Sequence, residues 1–304
     1  MTRPPSPRIS RRALLLSSAA AAGVGATLVV ASPASAAPNY SVIPRLPGEI
    51  SRTDTVVSRV GKKKYEVVDV LISGDRARLF VPHSAKPGSS VSMIWYYHAS
   101  GSNYAALSGA YQYSADQAVD QGLVSICPNY GGSLYTNPVA LAAQTKAAAW
   151  VSSVWTVSAS LLRSNSGGGT LLAWAYGKRM VPAIRGAYHA SGSYDMEDLG
   201  RRDPSRVLPI YGNDPAALRA ANPLRLPESA WAGARLRVTG SSEDELVPLE
   251  LHGGRFYRRA LPLAKEATIV AHSGEGRENG HTVPSFTNAD MLTTFQRWLR
   301  EGPA

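Results

Sequence analysis

Short apolar runs alternate along the chain with longer segments whose apolar residues are spaced as on one face of a helix. The runs at residues 91–97 and 123–128 are apolar at almost every position, which is typical of parallel strands buried on both faces. Further strands are predicted at residues 76–82, 159–163, 184–190, 235–239 and 267–270. Helices are predicted at residues 104–121, 138–155, 170–176, 249–260 and 290–301. This alternation predicts an α/β fold with a mostly parallel central sheet flanked by helices.

Two segments depart from this alternation. Residues 37–59 contain three prolines and no clear period, so they are predicted to form an N-terminal arm. Residues 193–232 contain five prolines and are predicted to form a short cap or a set of loops. The remaining pattern predicts one α/β domain at residues 60–304, and a segment of this length can bury a sizeable core.

The first 36 residues have the layout of a secretory signal. Four arginines precede an apolar run at residues 13–31, and residues 34–36 supply the small side chains of a cleavage site. The pair Arg11-Arg12 resembles a twin-arginine signal. We therefore expect a cleaved signal at residues 1–36, a secreted protein, and no stable membrane anchor after cleavage. An uncleaved anchor is the alternative, because the apolar run approaches the length that spans a bilayer.

Charge, cysteine content and residue spacing argue against nucleic acid, disulfides, metals and cofactors. The net charge is +10, of which four arginines in the first 12 residues supply +4; the remaining excess of about +6 is spread along the chain, with one basic run at residues 62–64 and no basic stripe interleaved with aromatics. Nucleic acid is therefore not expected as a partner. The single cysteine, Cys127, excludes an intramolecular disulfide. No close metal-ligand spacing is present, and the glycines at 167–169 lack the Lys-Ser/Thr of a phosphate loop, so we expect no metal and no cofactor.

The strongest local motif lies between a predicted strand and a predicted helix, where residues 164–169 read Ser-Asn-Ser-Gly-Gly-Gly. A nucleophilic serine on a sharp strand-to-helix turn needs small residues two positions before and after it, because strand and helix cross closely. Ser164 and Gly168 supply these around Ser166. The helix N-terminus also directs amide groups and a positive dipole at the site. Ser166 is therefore the candidate nucleophile, and a solvated serine in a glycine-rich loop is the alternative.

With this motif and this order of elements, the chain resembles the α/β-hydrolase family from about residue 60 to residue 300. The turn itself is similar to the nucleophile turns of exported bacterial polyester and cutin hydrolases. In the family, nucleophile, acid and histidine follow one another along the chain. The resemblance implies an acid in the loop after strand 235–239, where counting back from a Val-Pro pair selects Asp244 and counting forward from a glycine selects Glu243 as the alternative. Asp195, after the preceding strand, is a less favoured substitute.

The resemblance also implies a histidine after the last strand, where His272 and His281 are the candidates. His281 lies at the far end of a glycine-rich loop, directly before the final helix, which matches the position of the family's general base. His272 abuts the strand and is expected to be a supporting residue.

Two backbone amides are implied as the oxyanion hole. Residues 98–102 read His-Ala-Ser-Gly-Ser and resemble the family's His-Gly-x-Gly turn. The resemblance assigns one donor to the N–H of Ser100 and the other to the N–H of Gly167. His98 is expected to be structural, and Ala99 departs from the family's glycine.

Together these residues imply a serine hydrolase in which Ser166, Asp244 and His281 act through an acyl-enzyme. The expected substrates are carboxylic esters, as small molecules, lipids or polymers, so the chain is interpreted as an esterase, lipase or polyesterase. Two alternatives stay open, namely a secreted acyltransferase that uses the same three residues and a non-catalytic binding protein on a hydrolase scaffold.

Overall fold

The structure, a computed structural model, describes residues 41–132, 135–277 and 279–303. The predicted signal at residues 1–36 and the start of the predicted arm lie outside the described residues. The strands are Glu49–Arg52 (β1), Val56–Val57 (β2), Lys64–Ile72 (β3), Asp75–Pro82 (β4), Ser90–Tyr97 (β5), Val124–Pro128 (β6), Thr156–Asn165 (β7), Ile184–Ala190 (β8), Arg235–Ser241 (β9) and Glu266–His272 (β10). The helices are Gln112–Asp120 (α1), Pro138–Val154 (α2), Gly168–Gly177 (α3), Met196–Arg202 (α4), Pro204–Val207 (α5), Pro215–Ala220 (α6), Gly253–Ala260 (α7) and Phe286–Arg300 (α8).

All ten strands of the described chain belong to one sheet. Its order is β1-β3-β4-β6-β5-β7-β8-β9-β10, with β2 also paired to β3. Six neighbouring strands of the sheet, β6-β5-β7-β8-β9-β10, are parallel to one another, whereas β3 and β4 are antiparallel to their neighbours. The loops that follow the parallel strands therefore meet at one edge of the sheet, where ligands bind in open α/β sheets. The predicted α/β architecture is confirmed.

The two faces of the sheet carry separate cores because successive strand residues point to opposite sides. Met93, Trp95 and Tyr97 of β5 join the core that contains α2, α3 and α7. Ile94 and Tyr96 join the core that contains α1 and α8. All five side chains are fully buried, so this strand is covered by helices on both faces, as its apolar sequence predicts.

The structure corrects the N-terminal part of the predicted pattern. Residues 49–57, assigned to the arm, contain β1 and β2, which pair with β3. The sequence pattern missed β3 because charged residues interrupt it. Glu66 of β3 is 1% exposed and pairs with Arg52 of β1, while Asp69 of β3 lies 2.7 Å from the Arg78 guanidinium of β4. These ion pairs allow carboxylates to occupy positions that would otherwise be apolar.

The predicted single helix at residues 104–121 is wrong. A 3-10 turn at Tyr104–Ser108 is separated from α1 by Gly109, whose φ of −121° and ψ of −108° are not helical. Glycine is among the least favoured residues in a helix interior, because ordering its backbone costs the most entropy.

The proline-rich segment after β8 is a small helical cap. Its prolines begin helices instead of breaking them, as Pro204 does in α5 and Pro215 in α6, because a first helical residue needs no N–H partner. The cap has an apolar core of its own, formed by Tyr135, Met196, Leu199, Val207, Tyr211 and Leu218. Within the described residues, no helix is long and apolar enough to cross a membrane.

Candidate active site

Ser166 lies on the tight turn between β7 and α3. Its φ is +48°, a left-handed conformation that costs a non-glycine residue about 1–2 kcal/mol. Hydrogen bonds hold the turn: the N–H of Ser166 donates to Ala190 O at 3.3 Å, and its carbonyl accepts from the N–H of Ser193 at 2.9 Å and of Gly169 at 3.0 Å. A strained backbone persists only where its surroundings determine it in this way.

The glycines after Ser166 are required by close contacts. A Cβ on Gly168 would lie 2.6 Å from the carbonyl oxygen of His98 and still closer to that of Tyr97. A Cβ on Gly169 would lie 2.5 Å from Nε2 of His189 and from the carbonyl oxygen of Ser193. The motif predicts a small residue at position 168 only, whereas the structure requires glycine at both positions.

The strain at Ser166 gives a stability prediction. We expect Ser166→Gly to unfold with a free energy about 1 kcal/mol higher than Ser166→Ala, because glycine adopts positive φ without a Cβ clash. Both variants lack the hydroxyl, so the comparison isolates the backbone. Urea unfolding of the two variants at pH 7 measures the difference, and an alanine variant as stable as the glycine variant would contradict a strained turn.

The structure brings the predicted nucleophile, base and acid together. Nε2 of His281 lies 2.9 Å from Oγ of Ser166, and Nδ1 of His281 lies 2.6 Å from Oδ2 of Asp244. Donation from Nδ1–H to the carboxylate selects the tautomer in which Nε2 accepts from the serine hydroxyl. Asp244 is 2% exposed, and its Oδ1 accepts from the N–H groups of Leu246 and Val247 at 2.9 and 2.8 Å. We refer to Ser166, His281 and Asp244 as the triad.

The competing candidates have other partners. Oε2 of Glu243 accepts from the N–H of Gly274 at 3.0 Å. Asp195 caps α4 by accepting from the N–H of Glu197 at 3.0 Å and pairs with Arg255 of α7. His272 is directed at Ser191, with 3.4 Å between Nε2 and Oγ. Within the described residues, these three side chains are therefore held by partners other than Ser166.

The two residues expected to supply the oxyanion hole are adjacent. A Cβ built on Gly167 would lie 3.1 Å from the backbone nitrogen of Ser100. Gly167 directly precedes α3, so its amide belongs to the positive end of that helix. His98 orients the neighbouring loop, since Nε2 lies 3.0 Å from Asn129 O and Nδ1 lies 3.1 Å from Ala99 O.

Comparison of the sequence with known protein families and with curated proteins finds no match. Solved structures do resemble the chain. An S-formylglutathione hydrolase from Agrobacterium tumefaciens superposes with a TM-score of 0.59 at 16% identity, over 84% of this chain and 99% of that one. An esterase from Pyrobaculum calidifontis superposes at 0.55 and 14% identity, over 80% and 86% of the two chains. A thermostable esterase from Pseudomonas putida superposes at 0.52 and 15% identity, over 86% and 85%. The chain has the α/β-hydrolase fold.

Within this α/β-hydrolase fold, the loop that carries His281 is braced by residues that the sequence did not reveal. The hydroxyl of Ser191 donates to the carbonyl of Thr282 at 2.5 Å, directly after His281. The N–H of Glu245 donates to the carbonyl of Asn279 at 3.0 Å. These contacts, with that of Glu243 above, tie the histidine loop to the acid loop and to the segment after β8. They join residues far apart in sequence, so no local motif could indicate them.

His189 of β8 is a buried support of the Ser166 turn. It is fully buried, and its Nε2 lies 3.1 Å from the carbonyl oxygen of Ser193, whose N–H holds the turn. Burial lowers the pKa of His189 to about 4, because the apolar surroundings disfavour the imidazolium. The ring is therefore neutral at pH 7.

The buried imidazole makes the fold sensitive to acid. In the window between pH 6.5 and 4 the unfolded state binds a proton at His189 and the folded state does not, so stability falls as the pH falls. We expect this residue to account for about 3 kcal/mol of the unfolding free energy lost between pH 7 and 4. Urea unfolding of the wild type and of His189→Gln at both pH values measures the difference. Equal losses in the two proteins would contradict the prediction.

Proposed function

We propose that the protein is a serine hydrolase that cleaves carboxylic esters through an acyl-enzyme. One observation carries the proposal, namely the hydrogen-bonded chain from Ser166 through His281 to Asp244, with the serine on a strained strand-to-helix turn. The esterases among the structures that share its fold are consistent with this chemistry. Ester-containing small molecules, lipids or polymers are the substrate classes to test.

The triad geometry supports a two-step reaction. Oγ of Ser166 attacks the ester carbonyl carbon while Nε2 of His281 takes the hydroxyl proton. The carboxylate of Asp244 stabilises the imidazolium that forms. The C–O bond to the alcohol then breaks, and His281 gives the proton to the leaving oxygen. Water attacks the acyl-enzyme by the same route and releases the acid.

The amides of Gly167 and Ser100 are the proposed donors to the oxyanion that forms in each step. They are backbone groups that the fold already positions, so little reorganisation is needed when the charge develops. Loss of one such donor typically costs about 10²–10³-fold in rate. Their adjacency supports the assignment.

We also propose that the protein is secreted. The support is the sequence of residues 1–36, with its arginine pair, apolar run and small residues before position 37. Replacing Arg11 and Arg12 together by lysine should keep the protein inside the expressing cell, since a twin-arginine signal is read by its receptor. Export of the doubly substituted protein at the wild-type level would reject this route.

The experiment that tests the function follows hydrolysis of p-nitrophenyl esters by the purified protein. We expect p-nitrophenol and the free acid to appear in equal amounts. The same reaction run with glycerol as an added acceptor separates hydrolysis from transfer, because an acyltransferase would form the glycerol ester in place of the acid.

Each result decides between the classes. Equal release of phenol and acid supports a hydrolase. Predominant glycerol ester would replace the hydrolase with an acyltransferase that uses the same triad. A folded protein that turns over no ester in either reaction would overturn both and leave a binding protein on this scaffold.

A further inference from the structure

A small pocket adjoins the two proposed oxyanion donors. We call it the acyl pocket and define it by six of its lining residues, which are Tyr97, Ser100, Tyr130, Tyr135, Gly167 and Leu171. Its cavity volume is about 20 Å³. A cavity needs roughly 10–15 Å³ by this measure to hold one water molecule, so the enclosed part of the pocket has room for a single group of about that size.

The sheet order determines which half of an ester this pocket faces. The pocket residues lie at the end of β5, in the loops after β5 and β6, or around the start of α3, whereas His281 follows β10. In the sheet, β5 and β6 lie on one side of β7 and β10 on the other, and Ser166 directly follows β7. His281 must reach the leaving oxygen to protonate it, so the alcohol half occupies the β8–β10 side. The acyl substituent then extends from the carbonyl towards β5 and β6.

The walls of the pocket are rigid. The rings of Tyr97 and Tyr130 stack with centroids 5.1 Å apart and planes 3° apart, and the hydroxyl of Tyr130 donates to Tyr96 O at 3.2 Å. Leu171 of α3 is 3% exposed. The start of that helix packs closely against the end of β5, since a Cβ built on Gly168 would lie 2.7 Å from the carbonyl carbon of Tyr97. Close-packed walls of this kind resist expansion by a longer chain.

Backbone strain also concentrates at this pocket. Tyr130 has a φ of +55° and Tyr135 a φ of +49°, left-handed conformations that bulky residues rarely adopt. Each costs of order 1–2 kcal/mol and persists where the surrounding structure fixes it, as at ligand-binding sites. Two aromatic residues that line the acyl pocket are therefore held in conformations that lower the stability of the fold.

We propose that the acyl pocket receives the methyl of an acetyl group and that the protein is selective for acetyl esters. The inference rests on the proposed function and adds the acyl half of the substrate. In this reaction Oγ of Ser166 attacks the acetyl carbonyl carbon, and the bond between that carbon and the alcohol oxygen then breaks. His281 passes the serine proton to the departing alcohol, and water then releases acetate.

The test measures kcat/KM for p-nitrophenyl acetate and butyrate. Each methylene that a site cannot accommodate costs about 10–200-fold, so we expect acetate to be preferred by about 10²-fold or more. In Leu171→Ala, which enlarges the pocket, the butyrate-to-acetate ratio should rise at least about tenfold. Leu172→Ala is the matched control, since Leu172 is its fully buried neighbour on the same helix and is not among the lining residues.

The outcomes separate this inference from the function on which it rests. A wild type that hydrolyses butyrate as well as acetate would overturn acetyl selectivity while leaving the ester hydrolase intact. A ratio that changes equally in both leucine variants, or in neither, would reject the acyl pocket as its cause. If Leu171→Ala does not fold, Leu171→Val applies the same test with a smaller expected rise. Absence of turnover with every ester would reject the proposed function itself.

Discussion

Replacing Ser166 by alanine is expected to lower kcat for ester hydrolysis by about 10⁵–10⁶-fold, because the nucleophile and the acyl-enzyme are both lost. Substrate binding should change little, since the rest of the site is retained. The measurement is p-nitrophenyl acetate turnover by the variant at high enzyme concentration. Ser166→Ala should stay folded, and its circular dichroism spectrum should match that of the wild type.

Ser164→Ala is the matched control for this variant. Ser164 lies two residues earlier on β7, is fully buried, and has no hydrogen-bond partner for its Oγ among the described residues. Its removal should leave kcat within about threefold of the wild type, because alanine keeps the small size that the turn needs at this position. A further variant, Ser166→Ala with His281→Ala, should be no slower than Ser166→Ala, since residues that act as one unit are not additive. Comparable loss in Ser164→Ala and Ser166→Ala would contradict the assignment.

The second large effect is expected at Asp244. Asp244→Asn should lower kcat by about 10⁴-fold, because an amide in place of the carboxylate disfavours the required histidine tautomer and no longer stabilises the imidazolium. Adjacent Glu243→Gln should lower kcat by less than about tenfold, since its side-chain oxygen can still accept from the N–H of Gly274. Side-by-side kinetics of the two isosteric variants therefore decide which acid the reaction uses.

The reverse ranking would reassign the acid to Glu243. A small loss in both variants would mean that His281 works without a carboxylate partner and would contradict the triad mechanism. Because both substitutions remove one negative charge from the same loop, a general charge effect cannot produce a large difference between them.

The central sheet could be predicted from the sequence because its strands are locally distinctive. β5 and β6 are apolar runs with clear ends, and their predicted bounds, like those of β8, agree with the structure to within a residue. β1 and β3 could not be predicted in the same way. Their charged residues are stabilised by partners on neighbouring strands, as Glu66 is by Arg52, and such pairs become visible only when the sheet is assembled.

The candidate site likewise contains residues with a local sequence signal and residues whose position depends on distant partners. Ser166 carries a local signal, since its turn needs small neighbours, whereas the choice between Asp244 and Glu243 depended on how the loop after β9 closes. The structure places His281 next to Asp244, and the catalytic roles of these residues stay a prediction. The supports of the site, Ser191 and His189, had no sequence signal because their partners lie on other segments.

The most direct test of Ser166 as the nucleophile is fluorophosphonate labelling of the purified protein, with the label located by peptide mass. An activated serine reacts with such a probe because the adjacent base takes its proton and the oxyanion donors stabilise the adduct. We predict one label per chain, on Ser166, and a label slower by about 10³-fold or more in His281→Ala. A folded protein that stays unlabelled, or that is labelled at another serine, would contradict the claim that Ser166 is the nucleophile.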